Sequence, residues 1–320
     1  MRARLASIEV TPRQFELTAL AALVALTLIV LTGAAVRLTD SGLGCPDWPR
    51  CYGHLYPPLQ THSLIEFGNR AVGALVGVVT VVVFLFAWRR RPFRRDLFRL
   101  SLALPLGVVA QAVLGGYTVE EKLAPGFVMA HFALSMVILI AALALYWRAR
   151  QAANPEHRGS DRLAVWAVRA LAPFAAVVLV AGTVSTAAGP HSGGNVGQTI
   201  KRLTFDGSNT LNLAVHVHGA LAFAFGCAAV LVWVMLERRQ ADRPLRLAMT
   251  SLCVLLAVQG VVGAVQFDTH LPTELVWVHV TLATLTWLSV LWAVAAAGRL
   301  EPRAATGPAQ IRASVAARNG

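Results

Sequence analysis

The chain has 320 residues, 56% of them hydrophobic and only 14% charged, with a formal net charge of +12. Soluble domains carry closer to a quarter charged residues, so a soluble globular class is excluded. The basicity does not mark a nucleic-acid partner either, because the basic residues are sorted to one side of a series of apolar runs.

Eight runs, at about 14–36, 65–88, 98–119, 125–147, 163–187, 211–236, 244–266 and 272–297, are each long enough to cross a hydrocarbon core of roughly 30 Å. They predict an all-α fold, a polytopic membrane protein with eight transmembrane helices. The first run is too long for the apolar part of a cleavable signal and reads as a span. Most Lys and Arg residues precede span 1 or follow spans 2, 4, 6 and 8, as in Arg89–Arg91, Arg94, Arg95 and Arg99. The facing connectors hold few, among them Arg37, Arg50, Lys122, Lys201 and Arg202. The positive-inside rule then puts both termini in the cytoplasm. The small polar tail, 299–320, predicts a disordered cytoplasmic segment.

The connector after span 1 runs from Gly42 to Arg70 and holds Cys45 and Cys51 on the oxidising side. Two cysteines six positions apart in a turn-rich loop there can be bridged; free thiols are the alternative. Glu66, Asn69 and Arg70 follow at the mouth of span 2, where charged and amide groups are expensive and each needs a reason. Glu66 reads either as a functional carboxylate or as the i, i+4 ion-pair partner of Arg70.

An internal repeat organises the rest. Span 3 contains Gln111-Ala-Val-Leu-Gly-Gly, and span 7 contains Gln259-Gly-Val-Val-Gly-Ala. His131 and His279 each follow their Gln by 20 residues. Asn69-Arg-Ala-Val-Gly-Ala-Leu in span 2 loosely parallels His218-Gly-Ala-Leu in span 6. The chain therefore divides into two pseudo-symmetric four-helix bundles, residues 1–150 and 160–298. Counting about 1.5 Å per residue from the outer helix ends places His131, His218 and His279 at similar depth, roughly 10 Å below the outer surface. Two imidazoles at equal depth in one bundle can ligate one iron axially, so His218 and His279 form a bis-histidine haem candidate. The other bundle keeps His131 but has Asn69, a poor iron ligand, in the paired place, with Glu66 one turn before it on the same face; Glu66 and Asn69 are the catalytic candidates of a site that leaves an iron position open. His62 and His191 read as interfacial polar residues, or as groups touching haem propionates. Arg37 and Arg70 suit propionates because guanidinium pairs bidentately with carboxylate.

At these residues the sequence resembles the haem A synthase family. The matching motifs are Gly42-Leu-Gly-Cys-Pro-Asp-Trp-Pro-Arg-Cys51, Ile65-Glu-Phe-Gly-Asn-Arg70, Gln111-Ala-Val-Leu-Gly-Gly116, Gly182-Thr-Val-Ser-Thr-Ala-Ala-Gly-Pro-His191 and Gln259-Gly-Val-Val-Gly-Ala-Val-Gln266. The resemblance implies oxidation of a haem O methyl group to a formyl group, giving haem A for cytochrome c oxidase. It implies a b-type haem as prosthetic group on His218 and His279, and haem O as substrate in the N-terminal bundle. It further implies a catalytic role for Glu66, a disulfide or redox pair at Cys45 and Cys51, and a bacterial plasma membrane setting. The haem O synthase and an electron donor are the implied partners, and self-association is compatible with the sequence. Asn69 departs from the family, many members of which have histidine there. That leaves His131 alone, or His131 with another group such as His62, on the substrate side.

Two other classes compete. A bis-histidine b-type cytochrome exchanging electrons with quinone should carry two like sites, and this chain carries one. A transporter built of repeated halves should break its helices near the site, whereas Pro105 and Pro173 stand in spans without the histidines.

Overall fold

The computed structural model describes residues 9–153, 161–195 and 197–298. The expected disordered tail, 299–320, lies outside the described residues. Eight helices follow in chain order: α1 Pro12–Leu38, α2 Thr61–Arg89, α3 Arg95–Glu120, α4 Pro125–Ala153, α5 Arg162–Ala188, α6 Thr210–Arg238, α7 Arg243–Asp268 and α8 Thr273–Ala296. Each contains a stretch apolar and long enough to cross a membrane. Even the shortest, with 24 residues, extends about 36 Å at 1.5 Å per residue. The chain is thus a multi-pass helical membrane protein. Many outward side chains are large and apolar, such as Leu75, Phe223 and Leu231, which suits lipid rather than water.

Local chemistry sets the helix ends. Thr11 and Gln14 form a reciprocal capping box at the start of α1, with Pro12 in its first turn. Asp161 caps α5 by accepting the N–H groups of Leu163 and Ala164. The Ala164 amide first, and then Arg239, hold the Asp161 carboxyl below its usual range. Pro105 and Pro173 lie inside α3 and α5, which continue past them.

Within the first half, α1 packs on α2 and α4, and α3 bridges α2 and α4. The second half repeats this ring: α5 packs on α6 and α8, and α7 bridges them. The outer turns α3–α4 and α7–α8 repeat in detail. Each ends on two consecutive residues in the left-handed region, Lys122–Leu123 and His270–Leu271. Leu123 N–H donates to the Thr118 carbonyl and Leu271 N–H to the Gln266 carbonyl, at 2.8 and 2.7 Å. Donor and acceptor both shift by 148 positions (123 to 271, 118 to 266). The same turn geometry thus recurs 148 positions apart.

The halves meet chiefly through α8, which touches α1 and α4, while α4 also touches α5. Two indoles fasten the seam. Trp287 donates to the Met136 carbonyl at 3.1 Å and Trp277 to the Leu31 carbonyl at 3.0 Å. Buried residues of both halves, including Phe15, Leu104, Leu139, Phe225 and Trp287, form one continuous apolar core.

Candidate haem sites

In the C-terminal half, α6 presents His218 and α8 presents His279, with ring centroids 6.2 Å apart and planes at 75°. Each ring edge lies against a glycine of a neighbouring helix. A Cβ on Gly182 of α5 would stand 3.0 Å from His218 Cε1, and one on Gly263 of α7 would stand 3.1 Å from His279 Cε1. His218 Nδ1 is 3.1 Å from the Val178 carbonyl oxygen. A carbonyl only accepts, so Nδ1 carries the proton and Nε2 is left with a free lone pair. Gln259 donates Nε2 to the His279 backbone carbonyl at 3.1 Å. Its Oε1 and His279 Nδ1 are buried without hydrogen-bond partners.

These features fit a haem iron. Two imidazoles bound on opposite faces of one iron at roughly 2 Å each place their ring centroids about 6 Å apart. The glycines leave room at the ring edges, and His218 Nε2 keeps its lone pair for a ligand, whereas the orphaned His279 Nδ1 lies on the Gly263 side of its ring. Among the described residues, no group of three or more His, Cys, Asp or Glu side chains gathers as a bare-ion site.

The N-terminal half has the same plan with one substitution. His131 on α4 lies against Gly115 of α3, where a Cβ would stand 3.4 Å from Cε1. Gln111 donates Nε2 to the His131 backbone carbonyl at 3.0 Å and to Ser135 Oγ at 2.7 Å. Again His131 Nδ1 and the Gln Oε1 are buried and unpartnered. Asn69 of α2 faces Gly33 of α1, with Nδ2 4.0 Å from the Cβ position. Both members of this pair lie 149 positions before Gly182 and His218 (33 to 182, 69 to 218). Asn69 thus stands against Gly33 as His218 stands against Gly182. Its Oδ1 accepts the Thr32 hydroxyl at 2.8 Å.

Glu66 sits one turn outward on α2, buried at 5% exposure. Its Oε1 pairs with Arg70 Nη2 at 2.6 Å, which is the ion-pair alternative stated above. Its Oε2 accepts the backbone N–H of Cys45 at 2.7 Å. Arg70 in turn donates to the carbonyls of Asp47 and Arg50, both at 2.9 Å, and more weakly to that of Cys45. Cys45 and Cys51 are disulfide-bonded and fully buried. Asp47 gathers the N–H groups of Tyr52 and Gly53, and Trp48 covers Gly116 of α3. The disulfide loop is thus a lid on the first half, sewn to α2 through Glu66 and Arg70. Gly44 makes the closest approach, since a Cβ there would lie 2.3 Å from the His62 carbonyl oxygen.

The remaining candidates hold loops. His62 Nδ1 is 3.0 Å from Ser41 Oγ, and His191 Nε2 donates to the Leu271 carbonyl at 2.7 Å. Arg37 donates to the carbonyls of Thr186 and His191 in the second half. His216 turns away from His218 and bonds the Asn212 carbonyl of its own helix. Sequence reasoning passed over Thr32, Trp48, Trp277 and Arg202. Only Arg202 carried a signal, as a cation on the side otherwise poor in them.

Eight apolar helices packed in two rings define a multi-pass helical membrane protein. The chain belongs to the cytochrome oxidase assembly protein family COX15-CtaA, whose model matches residues 16–291. A protein named Heme A synthase from Shewanella oneidensis is 32% identical over 141 residues, covering 38% of this chain and 42% of that protein. Another of that name, from Symbiobacterium thermophilum, is 40% identical over 118 residues, 36% of this chain and 38% of the relative. A protein named Protoheme IX farnesyltransferase from Halobacterium salinarum is 31% identical over 138 residues, 43% of this chain and 30% of the relative. The matched segments thus span less than half the length of these relatives.

Proposed function

We propose that this chain is a haem A synthase, oxidising a methyl group of haem O to a formyl group. The observation that carries the reading is the unequal pair of sites: His218 faces His279 in one half, while in the other Asn69 stands against Gly33 as His218 stands against Gly182, so His131 has no second histidine in the matching place. A pure electron carrier built from repeated halves needs no such asymmetry. The family and the names of the relatives support the same reading.

His218 and His279 would hold a b-type haem, which supplies reversible one-electron chemistry. Substrate haem O would bind in the N-terminal bundle with its iron on His131 Nε2. Gly115 and Gln111 fix that ring and its backbone. Asn69 offers a hydrogen-bonding amide rather than a second ligand, with Thr32 holding its Oδ1. Taking a methyl to a formyl group with water as the oxygen donor releases four protons and four electrons, so the site must admit that water and pass the electrons to an external acceptor. Glu66 is the buried carboxylate closest in sequence to this site and would stabilise positive charge or accept a proton there. Arg70 and the Cys45 amide hold Glu66 in one orientation.

We place the protein in a bacterial plasma membrane with both termini cytoplasmic, on the distribution of basic residues. Similarity to farnesyltransferase-named proteins supports partnership with the enzyme that makes haem O. The test is haem extraction and chromatography from cells supplied with haem O, with and without Glu66→Ala. Haem A should appear with the unmutated chain. Its absence there refutes the synthase reading, and its retention in Glu66→Ala refutes only the role given to Glu66.

A further inference from the structure

Two cations converge where the halves meet under the second outer loop. Arg37, in the last turn of α1, places Nη2 2.9 Å from the Thr186 carbonyl oxygen. Arg202, in the loop before α6, places its own Nη2 2.9 Å from the same oxygen. Arg37 Nη2 also donates to the His191 carbonyl at 2.5 Å, and Arg202 Nη2 to the Gly189 carbonyl. Gly193, at φ +84°, lets the loop lie on Arg37, since a Cβ there would stand 3.1 Å from Arg37 Cγ. The two guanidiniums thus share a neutral acceptor in a crowded, mostly buried setting.

Their charge is not answered. Among the described residues neither arginine forms an ion pair with a carboxylate. Arg202 Nε is buried without a partner. No hydrogen bond runs from Arg37 Nε or Nη1 to a described residue. Like charges held together away from water repel, and carbonyl dipoles offset this only in part. Burial pulls the Arg202 guanidinium below its ordinary value. An anion between them would relieve the repulsion and engage the idle N–H groups, and a carboxylate matches the guanidinium fork best.

We propose that Arg37 and Arg202 form a carboxylate-binding site whose ligand is a propionate of the haem held between His218 and His279. The proposal rests on the haem reading of the preceding section. Its geometry comes from α5. Gly182, against which the His218 ring lies, is four residues before Thr186, the residue both arginines touch. That separation is one turn, about 6 Å outward along the same helix. One arginine belongs to each half, so the haem carboxylate would tie α1 to the second outer loop.

The test compares protohaem with its dimethyl ester, in which both carboxylates are masked, added to protein purified from haem-depleted cells. Affinity is read from Soret titration, and ligation from the low-spin bis-histidine spectrum. The unmutated chain should bind the free acid at least about tenfold more tightly than the ester, as for loss of a charged hydrogen bond. Arg37→Gln and Arg202→Gln should each shrink that preference by weakening free-acid binding alone. Arg37→Lys, which keeps the charge, should retain most of it and guards against misfolding of the glutamine variants. A preference that persists in both glutamine variants overturns the arginine site alone. So does an equal weakening of acid and ester, which marks a structural role, or loss of co-purifying phospholipid phosphate with the preference intact, which marks a lipid site. A low-spin spectrum absent from the unmutated chain, or undiminished in His218→Ala, overturns the haem site and the arginine proposal with it.

Discussion

Glu66 accepts the backbone N–H of Cys45 at 2.7 Å, so the carboxylate of α2 and the disulfide of the first outer loop are one structural unit. The other Glu66 oxygen is taken by Arg70, which also gathers loop carbonyls. A carboxylate so held has its charge answered and its direction set, which a catalytic role requires and a merely structural one also uses.

The two roles separate by substitution. Arg70→Ala leaves the Glu66 charge buried without its cation, and thermal unfolding in detergent should show a loss of about 3 kcal/mol. Glu66→Gln keeps an acceptor for the Cys45 amide but cannot take a proton as a carboxylate does. It should lower haem A yield by about 100-fold while leaving the low-spin spectrum of the C-terminal haem unchanged.

Cys45→Ser with Cys51→Ser opens a very short covalent loop, so the cost in stability should be near the low end for disulfides, about 2 kcal/mol. The clearer readout is limited proteolysis. Cleavage within residues 46–60 should accelerate, because Arg70 and the Trp48 contact with Gly116 would then be left to tie that segment to the helices.

Glycines beside the histidine rings predict a positional pattern. Gly182→Ala and Gly263→Ala each place a methyl group about 3 Å from a ring carbon and must turn the imidazole. Haem content of the purified protein should fall at least several-fold, at a packing cost of about 1–3 kcal/mol. Gly219→Ala and Gly260→Ala meet nothing within 4 Å and serve as controls with unchanged spectra.

Asn69→His restores the residue that His218 represents in the other half. Reconstitution with excess protohaem should raise the low-spin signal per protein about twofold, because each half then offers two ring nitrogens to one iron. An unchanged signal would show that α2 and α4 do not face each other as α6 and α8 do.

Asp161 provides a pH prediction. Its carboxyl is held below the ordinary range by the Ala164 amide and by Arg239. A depressed folded value contributes stability that is full above the unfolded value and is lost as pH falls through the folded one. Acidification below about pH 4 should therefore destabilise the unmutated chain more than Asp161→Ala. At neutral pH that variant should cost roughly 1 kcal/mol from the lost helix cap. Melting curves of both across pH decide it.

The helices, their order and the histidine asymmetry were all legible in the residues. An apolar run declares its length locally, and the repeat declares itself in spacings such as Gln111 to His131 and Gln259 to His279. The pairing of Glu66 with Arg70 was legible too, since i, i+4 on one helix needs no tertiary information. Arg37 was picked out as a propionate candidate, but nothing local joined it to Arg202, 165 positions later (37 to 202).

What the sequence by itself determined is therefore a membrane protein of eight helices, with an expectation of two related halves that carry histidines at one depth. Bilayer thickness and helical rise convert residue counts into depth, and both act within a single helix. Only the tertiary structure decided that His218 and His279 stand 6.2 Å apart, that Trp277 reaches Leu31, and that Arg37 and Arg202 converge on Thr186. Those contacts join different helices and loops. Their distances follow from how α8 and the second outer loop pack across the seam, which no residue spacing along the chain encodes.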